Sequence, residues 1–322
     1  MKQALVLFTL AIASTSLFSQ DVQVREEAVR LLEKADEVST PLRLPNLERI
    51  DTFRVFSSDA PVREGSFSRV VIQGTGRRDE TTFGEYHVID IFTSRGLTTV
   101  RTKELAPPEV DDLMKLAPVF HGAFDSEDVI HSIASRDVNG RAARCIQFDT
   151  VTGEKTQANE ICVDAGNGTL LIKKVGDERV EYSDYFAFAG AQYPAKISYS
   201  LGGALKMEVA QSLTVLTDAT ANVLAAPPNA QVRQLCKTYR RAFGQSMPQP
   251  KPGNGGADTD IILRGMISSD GRIHDAVVQS SERPALNAEA LSLIQQWVFE
   301  PALCNGIPNL TEASFELHFR GR

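Results

Sequence analysis

Apolar positions recur at helical spacing near the start of the chain and at period two through most of the rest. Lys2 precedes an apolar run from Ala4 to Ala13, and Val24, Ala28, Leu31, Ala35 and Val38 then repeat every three to four residues. Glu26, Glu27, Arg30, Glu33 and Lys34 occupy the other side, so the spacing predicts an amphipathic opening helix. Strand-like runs follow at Phe67 to Gln73, Tyr86 to Phe92, Leu97 to Arg101, Ile130 to Asp137, Ala142 to Asp149, Asn159 to Val163, Thr169 to Lys174, Arg179 to Phe188, Ala195 to Ser200 and Leu205 to Leu216, with turn residues between them. So many strands in succession predict a large antiparallel sheet curling into a half-barrel. A short helix is expected at Glu109 to Leu116, where Pro107-Pro108 suits a helix start and Val110, Leu113, Met114 and Leu116 give an apolar side.

The last 65 or so residues repeat this logic on a smaller scale. Ile261, Leu263 and Ile267 alternate as a half-buried strand, Asp270-Gly271 supplies a tight turn, and Ile273 to Val278 returns as the partner. From Asn287 to Val298, Ala290, Leu291, Ile294, Trp297 and Val298 share one helical stripe. Asn287 is placed as the N-cap, and Glu289 suits the positive helix start. Pro301 stops the helix and Asn305-Gly306 makes a turn. Ala313, Phe315, Leu317 and Phe319 then alternate with Glu312, Ser314, Glu316 and His318. The fold class is therefore α+β, a large curved antiparallel sheet followed by a small ββαβ domain. Trp297 reads as a core anchor and Asp270-Gly271 as a turn.

Between the two parts, Met247 to Gly256 mixes prolines and glycines with no hydrophobic pattern, as a linker does. The expected boundaries are residues 1–20 as a signal segment, 21–244 as the β-rich domain with its opening helix, 245–257 as linker and 258–322 as the terminal domain. Lys2, the apolar run and the small residues Ser14 to Ser19 have the three sections of a secretory signal, with cleavage near Ser19 or Gln20; an uncleaved inner-membrane anchor is the alternative. Gln231 to Lys251 carries Arg233, Lys237, Arg240, Arg241 and Lys251 with no acid, which reads as a solvated helix face, an acidic partner being the alternative.

Composition narrows the function classes. The chain has 322 residues, 42% hydrophobic and 23% charged, enough for one large or two ordinary domains with proper cores. A net charge of -7 argues against a general nucleic-acid binder and disfavours anionic membrane surfaces. Four cysteines in an exported chain are expected to pair, and three pairings exist. A hairpin around Thr152-Gly153-Glu154-Lys155 would bring Cys145 beside Cys162, which leaves Cys236 for Cys304. Metal binding is the minor alternative, since no CxxC or Cys/His cluster occurs.

Catalytic equipment is sparse. His87, His121, His131, His274 and His318 are dispersed without ligand spacing, Gly74-Thr75-Gly76 lacks the helix that a phosphate loop needs, and no Gly-x-Ser-x-Gly elbow occurs. The sequence predicts a non-enzyme with no cofactor and no metal.

Several motifs of the terminal domain resemble a known family. Asp270-Gly271-Arg272, Leu286-Asn287-Ala288-Glu289-Ala290, Trp297-Val298-Phe299-Glu300-Pro301-Ala302 and Asn305-Gly306-Ile307-Pro308 are similar, in order and spacing, to the C-terminal domain of TonB-type energy transducers. The chain departs at Asn287, where Asp is common, and at Val298, where Arg or Lys is common. The resemblance implies a periplasmic protein that binds an outer-membrane TonB-dependent transporter, or another periplasmic protein, by strand addition in support of transmembrane transport. Which strand is exposed stays open, and the strand with Ala313, Phe315, Leu317 and Phe319 is one candidate edge. The β-rich part resembles the LolA-type lipoprotein carriers through Cys162-Val163-Asp164, Gly168-Thr169-Leu170-Leu171, Glu181-Tyr182-Ser183-Asp184-Tyr185 and Tyr193-Pro194-Ala195-Lys196-Ile197. That likeness implies the alternative function, a lipid or lipoprotein carrier with a docking module. Phe67, Val71, Phe83, Phe92 and Phe120 read as core, a cavity lining being the other possibility.

Overall fold

The computed structural model describes residues 4–41, 43–58, 60–116, 124–153, 155–217, 221–233, 236–250 and 258–320. The chain divides into two compact units, one of Met1–Gly84 with Asp112–Val223 and one of Glu85–Asp111 with Leu224–Arg322. In chain order the elements begin with α1 (Ala4–Ser39), β1 (Leu47–Val55), β2 (Arg63–Ile72), β3 (Gly76–Phe83), β4 (Tyr86–Thr93), β5 (Gly96–Arg101) and α2 (Pro108–Lys115). Then come β6 (Asp128–Val138), β7 (Arg141–Thr152), β8 (Lys155–Asp164), β9 (Leu170–Val175), β10 (Glu178–Phe188), β11 (Ala191–Leu201) and β12 (Ala204–Val215). The remaining strands are β13 (Gln231–Arg233), β14 (Tyr239–Arg240), β15 (Phe243–Ser246), β16 (Thr259–Ile267), β17 (Ile273–Ser281), β18 (Val298–Glu300), β19 (Ala302–Cys304), β20 (Ile307–Asn309) and β21 (Thr311–Phe319), with α3 (Asn287–Ile294) after β17.

The first unit is a large curved antiparallel sheet in the order β3-β2-β1-β12-β11-β10-β9-β8-β7-β6. Successive hairpins build most of it, and the pairing of β1 with β12, from Leu47↔Val215 to Val55↔Met207, brings the two ends of the meander together. Burial alternates along β12, where Met207, Val209 and Gln211 face inward between exposed Glu208 and Ala210. The strands β1 and β3 went unpredicted because polar residues stand where the alternation should be apolar. In β1, Asp51 is fully buried and takes the Arg49 guanidinium at 2.9 and 2.5 Å, an arrangement that keeps a charge inside a strand face. Opposite Phe53 stands Gly65, where a Cβ would lie 2.2 Å from the ring, so the phenyl group occupies the space a side chain would need. In β3, Asp79 faces Arg69 across the ladder and accepts two hydrogen bonds from it at 2.8 and 2.9 Å.

On this sheet α1 packs against β6 and β11 and buries Ala28, Leu32 and Ala35. Cys145 and Cys162 face each other in the β7–β8 ladder and form a disulfide, as the hairpin reading required. Phe67 and Phe83 are core, Val71 and Phe92 are half-buried, and Phe120 lies outside the described residues.

The second unit contains β13, β5 and β4 in that order and three small sheets, β14-β19-β20, β15-β18 and β17-β16-β21. The basic stretch expected as a helix face is instead extended, in β13, β14 and β15, because each finds a strand to pair with. Arg233 pairs with Glu104 and Arg240 with Glu300. Of the expected linker, 245–257, residues 251–257 lie outside the described residues, while its first two residues belong to β15, where Ser246 faces Val298. No helix of the described residues is long and apolar enough to cross a membrane.

Candidate partner-binding edge

The terminal module is organised around one glycine. Gly271 has φ +79°, and a Cβ there would lie 1.9 Å from the Phe299 carbonyl oxygen. Only a residue without a side chain lets β18 come close enough for the Phe299 N–H to donate to the Gly271 carbonyl at 2.9 Å. Asp270 completes the turn. Its carboxylate accepts from the Ser268 hydroxyl and from the Arg272 N–H, and those two bonds hold its pKa below the usual carboxylate range. Asp270-Gly271 is thus a turn, as expected, and also the seat of β18.

The helix α3 is shorter than its apolar stripe suggested. It ends at Ile294, because Val298 is drawn into β18, where it faces Ser246 and bridges to Arg272. Leu286 stands at the N-cap position, and the Pro284–Leu286 turn leads directly into the helix. Asn287 is therefore the first helical residue and caps nothing; its Oδ1 is buried without a hydrogen-bond partner. Trp297 fulfils its predicted role, 5% exposed and edge-on to Phe315 at 5.7 Å between ring centroids.

In the sheet β17-β16-β21, β16 lies in the middle and runs antiparallel to β21 from Thr259↔Phe319 to Ile267↔Thr311. Among the described residues, β17 and β21 pair with β16 alone, so each leaves one row of backbone groups unpaired by a strand. Of the four side chains expected to meet a partner, Phe315, Leu317 and Phe319 are buried in the module core and Ala313 is half-buried. The structure brings them together as core, and the exposed face of β21 is Glu312, Ser314, Glu316 and His318. Beside this strand runs a groove of about 660 Å³, lined along β21 from Thr311 to His318 and by Tyr239, Arg241, Ala242, Met247 and Gln249, with Ile267, Trp297 and Phe299.

A two-strand turn, a short helix and a returning edge strand in this arrangement characterise a known module. Residues 254–320 match the family of Gram-negative bacterial TonB protein C-terminal domains. No curated protein is similar to the chain in sequence. Among solved structures, the chain is similar to a putative outer membrane lipoprotein-sorting protein domain from Vibrio parahaemolyticus (9% identity, TM-score 0.39, covering 62% of this chain and 97% of the other). It is likewise similar to a LolA superfamily protein from Nitrosomonas europaea (10%, 0.35, 61% and 96%) and to the MucA/MucB complex of Pseudomonas aeruginosa (14%, 0.26, 83% and 97%).

The TonB C-terminal module is larger in this chain than the matched stretch. Residues 236–249, which precede the match, form a strap on it. Cys236 is disulfide-bonded to Cys304, and the Asn305 side-chain oxygen accepts from the backbone N–H groups of Lys237 and Thr238 at 2.8 and 3.2 Å. Next, β14 pairs with β19 and β15 with β18, and the Trp297 ring N–H donates to the Pro248 carbonyl at 3.0 Å. The sequence signalled only the second disulfide; the strap's strands are two and four residues long, too short to show a period.

Two charged clusters mark the TonB C-terminal module's β21. Arg264 on β16 is only 5% exposed, and its guanidinium is held by Glu312, at 3.0 Å from Nε, and by Asp111 of α2. A lone arginine inside the apolar run Ile261 to Ile267 was the available signal. Nearer the end of β21, His318 faces Asp260 and its Nδ1 lies 2.6 Å from a carboxylate oxygen, which raises the imidazole pKa by hydrogen bond and by charge. Asp260, Glu316 and His318 have donor atoms within 4.8 Å of one another on the exposed face, a spacing that could share a cation. The other close set, Cys145, Glu160 and Cys162, has its sulfurs committed to the disulfide.

Proposed function

We propose that the chain is a periplasmic protein, not an enzyme, whose TonB C-terminal module captures an extended segment of an outer-membrane transporter, or of another periplasmic protein, by adding it as a strand to β21, in support of transmembrane transport. The observation that carries this reading is the edge of β21, unpaired among the described residues and bordered along its length by a groove. Affinity in this mode comes from main-chain hydrogen bonds, so it asks for an accessible edge and little else from side chains. That fits a strand whose apolar side chains are already spent on the core.

The test is binding of transporter-derived peptides to the full chain, followed by fluorescence anisotropy. A peptide that binds should lose its affinity when alternate backbone amides are N-methylated, since this removes donors and leaves side chains in place. Equal binding by the methylated peptide would end the proposal. The carrier alternative draws less support from the first unit. A cavity of about 710 Å³ there is lined by Arg54, Glu64, Lys196 and Glu208 together with hydroxyl and apolar side chains, a mixed surface poorly suited to an acyl chain. The reading also takes residues 1–20 as a cleaved signal, so the chain binds without transmitting force; an intact mass that includes those residues would reverse that part.

A further inference from the structure

We propose that the guest of β21 is a segment of alternating apolar and basic residues, with two basic side chains four residues apart facing Glu312 and Glu316. This inference rests on strand addition to β21 and adds the chemistry of the guest.

The periodicity of a strand fixes the spacing. A residue added opposite a β21 residue shares its face, in either strand direction, because side chains alternate at period two. Glu312 and Glu316 lie four apart on the exposed face, so the guest positions opposite them are also four apart. Guest residues at the intervening odd positions fall on the other face, toward Met247, Trp297 and Phe299 of the groove. Apolar side chains suit that face.

The charge of the exposed face gives the sign. With its strap, the module carries nine Asp and Glu against seven Arg and Lys, and Arg241 lines the far wall of the groove, whereas the exposed row of β21 itself holds Glu312 and Glu316 and no Arg or Lys. Glu312 is already paired with Arg264, yet Arg264 is also held by Asp111, so this cluster of two carboxylates and one guanidinium keeps a charge of about -1. The Glu312 side chain remains 47% exposed and offers further lone pairs to a second cation. Glu316 adds another exposed carboxylate, while the Asp260–His318 pair contributes no positive surplus beyond its own acid. Opposite charges directly across a ladder favour pairing and like charges oppose it, so the face selects lysine or arginine and rejects glutamate.

The experiment uses the full chain and three peptides that share valines on one face. They carry lysine, alanine or glutamate at two positions four apart on the other face, and each is also made with alternate amides N-methylated. Isothermal titration should rank lysine over alanine over glutamate, with about a three- to tenfold step from alanine to lysine. The step should shrink in high salt, as exposed charges are screened, and Glu316→Lys should reverse the preference at its position. Equal affinity for the three unmethylated peptides, with the methylated ones silent, would overturn the charge rule and leave strand addition standing. Binding by the methylated peptides, or by none of the six, would remove strand addition and the charge rule together.

Discussion

The two disulfides of this chain sit in opposite settings. Cys145 and Cys162 face each other inside a ladder that pairs ten residues on each strand, from Ala143↔Asp164 to Thr152↔Lys155, so the backbone already fixes both ends. Cys236 and Cys304 lie 68 residues apart, and the ladder beside them is only two residues long. In the first region a cross-link is added to structure that neighbouring strands determine. In the second it clasps a strap whose other anchors are two short ladders and a few side-chain hydrogen bonds. A domain built from long hairpins tolerates losing a link, whereas a small module held by short ladders depends more on its clasp.

The sharpest way to break this contrast is to remove each bond. With the chain-entropy estimate, closing a loop of 68 residues is worth about 4 kcal/mol and one of 17 about 3 kcal/mol. The small difference hides a larger one in what is released. Cys236→Ser with Cys304→Ser is expected to free the strap and destabilise the terminal module, and Trp297, the chain's single tryptophan, reports it directly. Denaturant unfolding followed by tryptophan emission should shift its midpoint down strongly. Cys145→Ala with Cys162→Ala should leave that signal in place and move only the far-ultraviolet transition of the large sheet. Unchanged tryptophan emission in the first pair would show that β14 and β15 hold the strap unaided.

Glycines sharpen the comparison next. Gly74 and Gly271 both have positive φ, but a Cβ at Gly74 meets nothing within 4 Å and one at Gly271 meets a carbonyl at 1.9 Å. Gly74→Ala should cost only the backbone preference, about 1 kcal/mol. Gly271→Ala must also push β18 away, for a total of about 3 kcal/mol or more. Thermal unfolding of the two variants, read by tryptophan emission for Gly271→Ala and by circular dichroism for Gly74→Ala, checks the ratio.

These positions also show how far the sequence was legible. A large curved antiparallel sheet, both disulfides, the Asp270-Gly271 turn, α2 and the burial of Trp297 followed from period, turn chemistry and cysteine spacing. The strands β1 and β3 did not, because charged residues interrupt the apolar alternation: Asp51 is held by Arg49 of its own strand and Asp79 by Arg69 across the ladder. Nor did the end of α3. Val298 continues the helical stripe perfectly well, and it leaves the helix because a distant strand, β15, offers a ladder partner. The groove was half legible: β21 was one candidate edge, but its far wall comes from a stretch whose basic residues read as a solvated helix. Local pattern reports which face of an element is dry, and it is silent on which edge remains open.

An acid-base comparison separates the two regions at lower energy. In the large sheet, burial pushes Asp164 up, but the N–H groups of Asn167 and Gly166 and the Arg141 guanidinium outweigh it and hold the carboxyl below its ordinary range. A depressed folded pKa means stability that is full above the unfolded value and is lost as pH falls through the folded one. Asp164→Asn should cost about 2 kcal/mol at neutral pH, the worth of hydrogen bonds to a charged group. It should also flatten the acid limb of the unfolding curve for the sheet; an unaltered acid limb would show that the turn holds without the charge.

In the terminal module the sign is opposite and the effect smallest. His318 is exposed, and its pKa is raised by the hydrogen bond to Asp260 and then by the charge of that carboxylate. A raised folded pKa gives a contribution that is complete below the unfolded value of about 6.5 and disappears as pH rises through the folded value. Both partners are solvated, so the change in unfolding midpoint should be slight. The titration itself is the better readout. The imidazole carbon-bound proton of His318, followed by NMR, should titrate above the ordinary range, and Asp260→Asn should bring it back. If a basic guest strand occupies the groove, its charges near Glu316 oppose the protonated imidazole and should lower the His318 midpoint, whereas a neutral guest should leave it where Asp260 sets it. A midpoint that rises on binding would mean that the guest brings acid to this face, against the charge that β21 presents.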